Sequence, residues 1–152
     1  MAESVRVAGE AAEVARAEAQ SVLALVQDER RRGRLADVVA AVDEGLVAGE
    51  DADALAELLE VGLQTGRLRA VYGPGGEQAA LGLFRRLPLG QELTRSTGEL
   101  NEALGALEGR TLERVSVHAA APGEYGVSIS TEGFEFEIRL GRSGARISSI
   151  GA

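Results

Sequence analysis

At 152 residues, 45% of them hydrophobic, the chain is long enough for one ordinary globular domain with a substantial core. Its net charge of −8 disfavours phosphate backbones and anionic headgroups, so neither nucleic acid nor a membrane surface is expected as a partner. Cysteine is absent, which removes disulfides, thiol catalysis and thiolate metal sites, and no apolar run approaches the ~20 residues that cross a bilayer.

All sixteen basic residues are Arg, which reads as coding bias. The start, Met1-Ala2-Glu3-Ser4, lacks the basic and apolar regions of a secretion signal, so a soluble, cytoplasmic protein is expected. Aromatics are limited to Tyr72, Phe84, Tyr125, Phe134 and Phe136, leaving Ala, Val and Leu to build the core.

Residues 4–32 read as one long Ala-rich helix. Ala8, Ala12, Ala15, Ala19, Val22 and Val26 recur every three or four positions and form one small-residue face, a seam for its own domain or for a second subunit. The run Asp28-Glu29-Arg30-Arg31-Arg32-Gly33 would supply basic charge to the last turn and a Gly to stop it. Leu35, Val38, Val39, Val42 and Leu46 mark a second helix closed by Gly49. Leu55, Leu58, Leu59 and Leu63 mark a third, closed by Gly66.

Arg67 to Tyr72 alternates and reads as a short strand broken by Gly73-Pro74-Gly75-Gly76. Ala80, Leu83, Phe84 and Leu87 predict a fourth helix ended by Pro88. Leu93, Leu100, Leu104 and Leu107 predict a fifth, with Ser96 and Glu99 at capping-box spacing and Gly109 as its stop.

From Thr111 the apolar period falls to two. Val115 and Val117, then Tyr125, Val127 and Ile129, then Phe134, Phe136, Ile138 and Leu140 alternate with polar residues, and a last strand spans Ala145 to Ile150. Short turns at Pro122-Gly123, Thr131-Glu132-Gly133 and Arg142-Ser143-Gly144 make successive strands antiparallel neighbours. The expected class is α+β: about five N-terminal helices packed on one face of a C-terminal four-stranded antiparallel meander. The expected organisation is a long helix over 1–33 and a single α+β domain over 34–152, with helices in 34–108 and the sheet in 111–151. The element order over 67–152, with its short final strand from Ala145 to Ile150, resembles the cone-shaped, nuclear transport factor two-like or cystatin-like folds. Many proteins of that kind are dimers or hold a small apolar ligand, and this is what the resemblance implies.

Chemistry is sparse. The Gly73-Pro74-Gly75-Gly76-Glu77 turn lacks the Gly-Lys-Ser/Thr ending of a phosphate loop, and Glu77 would repel an anion. His118, the one histidine, sits in a strand with Arg114 and Ser116 on its face and could meet Glu135 or Glu137. Asp43, Glu44, Glu50, Asp51, Asp53 and Glu57 crowd a helix junction without a calcium-loop spacing, and Asp51 or Asp53 is expected to cap a helix. Arg30, Arg31, Arg32 and Arg34 form a basic cluster suited to a helix end or an acidic partner.

These readings assign no catalytic residue, no metal and no cofactor. The leading expectation is a non-enzymatic interaction or scaffold domain that self-associates through Ala8, Ala12, Ala15, Ala19, Val22 and Val26 or through the polar sheet face. One alternative is a small-ligand binder or minor enzyme with Tyr72, Tyr125, Phe134 and Phe136 lining a cavity between sheet and helices. Another is an acidic regulator of a basic partner.

Overall fold

The computed structural model describes residues 3–151. The α+β order holds: helices come first and a four-stranded antiparallel meander last. The chain divides into two compact units, one ending at Gln91 and one beginning at Glu92.

The helical unit contains β1 (Val5–Arg6), α1 (Gly9–Leu25), α2 (Glu29–Glu44), β2 (Leu46–Val47), α3 (Gly49–Gln64) and α4 (Arg67–Phe84). The expected helix over 4–32 is therefore two. Val26 is extended, and the Asp28 side chain accepts the Arg31 backbone N–H at 2.8 Å, so Asp28 caps the start of α2. The arginine run lies in the first turn of α2, not the last turn of α1, and Gly33 lies inside α2. Arg32 still serves the C-terminus of α1, because its guanidinium donates to the Leu23 and Val26 carbonyls at 3.3 and 3.0 Å.

Helix α2 ends at Gly45, whose left-handed backbone (φ 78°) no β-branched residue would adopt cheaply. The chain then runs straight into β2, which pairs with β1 through Val5↔Val47 and Arg6↔Leu46. Gly49 opens α3 rather than closing α2. Ala48 stands at the N-cap, so neither Asp51 nor Asp53 caps.

The strand expected at Arg67 to Tyr72 is helical. Leu68 and Tyr72 are one turn apart, and Leu68 is fully buried against Gly62, where a β-carbon would lie 2.8 Å from its Cγ. Alternation over six residues does not discriminate between the two periods, and packing decides. Gly73 (φ 72°, ψ −178°) then breaks α4, and Pro74 opens its second half, where no N–H is needed. Leu55, Leu59, Leu68, Leu83 and Leu87 are the largest apolar side chains fully buried in this unit.

Helix α5 (Pro88–Leu104) starts at the proline expected to end its predecessor, in keeping with proline's preference for a first helical position. Its first turn belongs to the helical unit and the rest to the sheet unit. Ser96 lies inside it and donates to the Leu93 carbonyl at 3.1 Å, so it forms no capping box. A short 3₁₀ turn, Gly105–Leu107, follows.

The meander is β3 (Leu112–Ala121), β4 (Glu124–Thr131), β5 (Phe134–Gly141) and β6 (Gly144–Gly151), in that spatial order. Cross-strand partners share a face. The rows Val115↔Ile129↔Phe136↔Ile150, Val117↔Val127↔Ile138↔Ile147 and Ala119↔Tyr125↔Leu140↔Ala145 make one face apolar. The rows Ser116↔Ser128↔Glu137↔Ser149 and His118↔Gly126↔Arg139↔Arg146 make the other polar. Phe136 and Ile138 are buried at 4% and 5% exposure.

Because Phe136 sits in the middle of the apolar face, Phe136→Ala should cost roughly 3–5 kcal/mol, from lost burial plus the cavity left behind. A denaturant titration followed by far-UV circular dichroism checks this, and a change below about 1 kcal/mol would place Phe136 outside the core.

Candidate functional site

One face of α1 carries Ala11, Val14, Ala15, Glu18 and Ala19, all buried, a spacing of three and four residues with a carboxylate set into it. Ala15 and Ala19, expected at a seam, are fully buried inside the helical unit. Ala12, Val22 and Val26 are half-buried, and Ala8 stands at the N-cap of α1. The seam is thus filled by the chain's own helices, which leaves its centre no room for a second subunit.

Glu18 is only 2% exposed. An unpaired buried carboxylate would cost several kcal/mol. It is paired here: Arg67 at the start of α4 forms an ion pair with Oε1, and the Tyr72 hydroxyl donates to Oε2 at 3.2 Å. Burial first, then the Glu18 charge and hydrogen bond, push the Tyr72 phenol above its ordinary value, against the opposing pull of Arg67 and Ser21.

Glu18 lines a groove of about 670 Å³ in the helical unit. Val22, Leu35, Leu58 and Val61 supply apolar wall, and Arg30, Arg31 and Arg34 stand at the first two turns of α2 along its rim. These three arginines are one α-helical turn or less apart and so share a side of the helix. None of their side chains makes an ion pair among the described residues.

The polar sheet face has a shallower depression of about 400 Å³, lined among others by Arg114, Ser116, Ser128, Glu135 and Glu137. On that face His118 Nε2 lies 3.8 Å from Glu137 Oε1, which Arg139 also contacts at 3.1 Å. Of the two carboxylates expected near His118, Glu137 is the one in reach. Gly126 lies beneath the ring, where a β-carbon would collide with it.

The four aromatic candidates are divided between the two units. Tyr72 belongs to the helical unit and Tyr125, Phe134 and Phe136 to the sheet unit. Tyr125 is 54% exposed, and Phe134 stacks on Phe136 with centroids 6.3 Å apart while Arg110 covers Phe134 at 4.4 Å.

At the glycine turn, a β-carbon on Gly75 would lie 3.3 Å from the Glu10 carboxylate, and Glu77 pairs with Arg69, so two acids flank it. In the acidic cluster Asp43 pairs with Arg16, and no group of three metal-ligating side chains occurs among the described residues. Among those residues no helix is long and apolar enough to cross a membrane.

Sequence reasoning did not single out Glu18 or Arg67. The signal was present, because Glu18 interrupts an otherwise small and apolar stripe. No family model, curated protein or solved structure matches the chain.

Tyr72 tests the buried cluster. Its phenol, raised in the folded state, keeps its proton when the unfolded chain has already lost it near pH 10. The stability it contributes is therefore whole below that pH and falls as pH rises through the folded value. In a Tyr125→Phe background, phenolate absorbance should report a Tyr72 midpoint above 10 that falls in Glu18→Gln but keeps the part due to burial.

Proposed function

We propose that this chain is a non-catalytic interaction module that self-associates through its sheet unit. The observation that carries the reading is a single apolar face left open at its margins. Leu112, Val115, Val117, Tyr125, Leu140 and Ile150 are all exposed, from 39% to 67%, and all six belong to the same face by register. Scattered exposed apolar residues are ordinary on a protein surface, but a set confined to one face of a sheet supports an interaction site there.

The edge strand β3 supports the same reading. Edge strands are normally blunted by charge, proline or bulges. Irregularities lie at both ends of β3, between Leu112 and Arg114 and between Ala119 and Ala121, which leaves Val115-Ser116-Val117 as a regular, uncovered centre. A twofold antiparallel pairing about Ser116 would set Val115 opposite Val117 of the partner subunit. The two open apolar faces would then join across an eight-stranded sheet. The net charge of −8 supports the accompanying view that nucleic acid and membranes are not partners, and the lack of cysteine fits a cytoplasmic location.

Sedimentation equilibrium tests the proposal. The protein should sediment as a dimer at micromolar concentration. Val117→Lys, at a position 67% exposed, should sediment as a monomer with its melting temperature changed by no more than about 2–4 °C. A monomeric parent chain, or a variant that dimerises as the parent does, overturns the reading.

A further inference from the structure

We infer that the groove of the helical unit is a binding site for a small amphipathic carboxylate, an aliphatic or aryl acid with one anionic end. This site is separate from the self-association proposed for the sheet.

The groove's volume, about 670 Å³, lies within the roughly 300–1,000 Å³ that characterises small-molecule sites. Its walls differ in character. Val22, Leu35, Leu58 and Val61 come from α1, α2 and α3 and form an apolar lining, and Val61 remains 51% exposed with nothing packed over it. That surface is suited to a hydrocarbon body, whose burial releases it from water.

The rim is cationic at one end. Arg30, Arg31 and Arg34 face the groove from the start of α2. The carboxylates beside them are Asp28, which caps the Arg31 backbone N–H, and Glu57 on α3. Three guanidiniums against two carboxylates leave one positive charge in excess. The arginine side chains are uncommitted, whereas Arg67 is held by Glu18 and Arg16 by Asp43. A guanidinium pairs with a carboxylate in a planar two-point contact, so this end selects the headgroup while the walls select the tail.

Glu18 marks where in the site the charged end of a ligand is disfavoured. It lines the groove, is 2% exposed, and its charge is answered by Arg67 and Tyr72. A second carboxylate placed there would meet an anion, so the ligand's charged end lies at Arg30, Arg31 and Arg34 and not beside Glu18. A dicarboxylate of similar length is disfavoured for the same reason.

The experiment is a titration of the full chain with sodium octanoate, followed by calorimetry and by backbone amide shifts. Saturable binding is expected, with shifts at Val22, Leu35, Leu58 and Val61. The Arg30→Ala, Arg31→Ala, Arg34→Ala triple variant changes only exposed side chains, and it should bind on the order of ten-fold more weakly or worse. Val61→Glu, which sets an anion in the wall, should abolish binding. Octan-1-ol should bind more weakly than octanoate, and inorganic phosphate should not compete. The inference is overturned if octanoate does not bind at millimolar concentration, if the triple variant binds as the parent does, or if the shifts fall in the sheet unit. It is equally overturned if phosphate alone displaces octanoate, since the site would then read charge without the tail.

Discussion

The Glu18 carboxylate is the constraint on which the helical unit depends. It sits in the middle of the buried stripe of α1, so the helix cannot pack by apolar contact alone. A charge taken out of water must meet an opposite charge and further hydrogen-bond donors, and the depth and rotation of α1 bring Glu18 to both Arg67 and Tyr72. Those partners lie five residues apart on the first half of α4, with buried Leu68 between them. Leu68 in turn rests on Gly62, where a β-carbon would collide with the Leu68 side chain. The polar cluster and the tight turn between α3 and α4 thus specify the same arrangement from two sides.

The sheet was legible because its signal is redundant. Each strand repeats the period of two, each turn is short, and the face that Phe136 and Ile138 occupy follows from alternation. The helices were legible as stripes but not as boundaries. Gly45 rather than Gly49 ends α2, because the next residues are taken by a two-residue ladder with β1 that no local pattern announces. The basic run after α1 suggests a helix end, but the structure makes it a helix start with an Asp cap. Both readings use the same residues, and side-chain bonding decides between them: Asp28 reaches forward to Arg31 and Arg32 reaches back to Leu23 and Val26. The groove was not legible at all, because it joins residues from α1, α2, α3 and α4 that are adjacent only after folding.

The two faces of the sheet divide its roles by chemistry. The polar face carries its own ion pair, Glu137 with Arg139, and His118 Nε2 lies 3.8 Å from the same carboxylate. The apolar face satisfies itself only at the centre, where Phe136 and Ile138 are covered and Leu100 of α5 is buried. Beyond that centre, Leu112, Val115 and Val117 on β3 and Ile150 on β6 are exposed, while Ile147 on β6 is half-buried. A four-stranded sheet whose hydrophobic rows extend from edge to edge, yet are fully buried only at Phe136 and Ile138, carries more apolar surface than it covers.

Charge adds a constraint to the groove. The residues up to Gln91 hold fifteen carboxylates and ten arginines, so the unit that carries the groove is itself net negative. At physiological salt, fields between exposed charges fade over about 8 Å. An anion approaching from farther away meets little attraction, and it feels the arginines only when its headgroup is already at the rim. Affinity must then come from contact, through paired guanidiniums and a buried tail, and not from long-range steering. Such a site favours a monoanion with a hydrocarbon body over a compact polyanion. The polyanion would meet the same surrounding carboxylates with more charge and would gain nothing from Val22, Leu35, Leu58 and Val61. The net acidity of the unit therefore sharpens the preference of the groove.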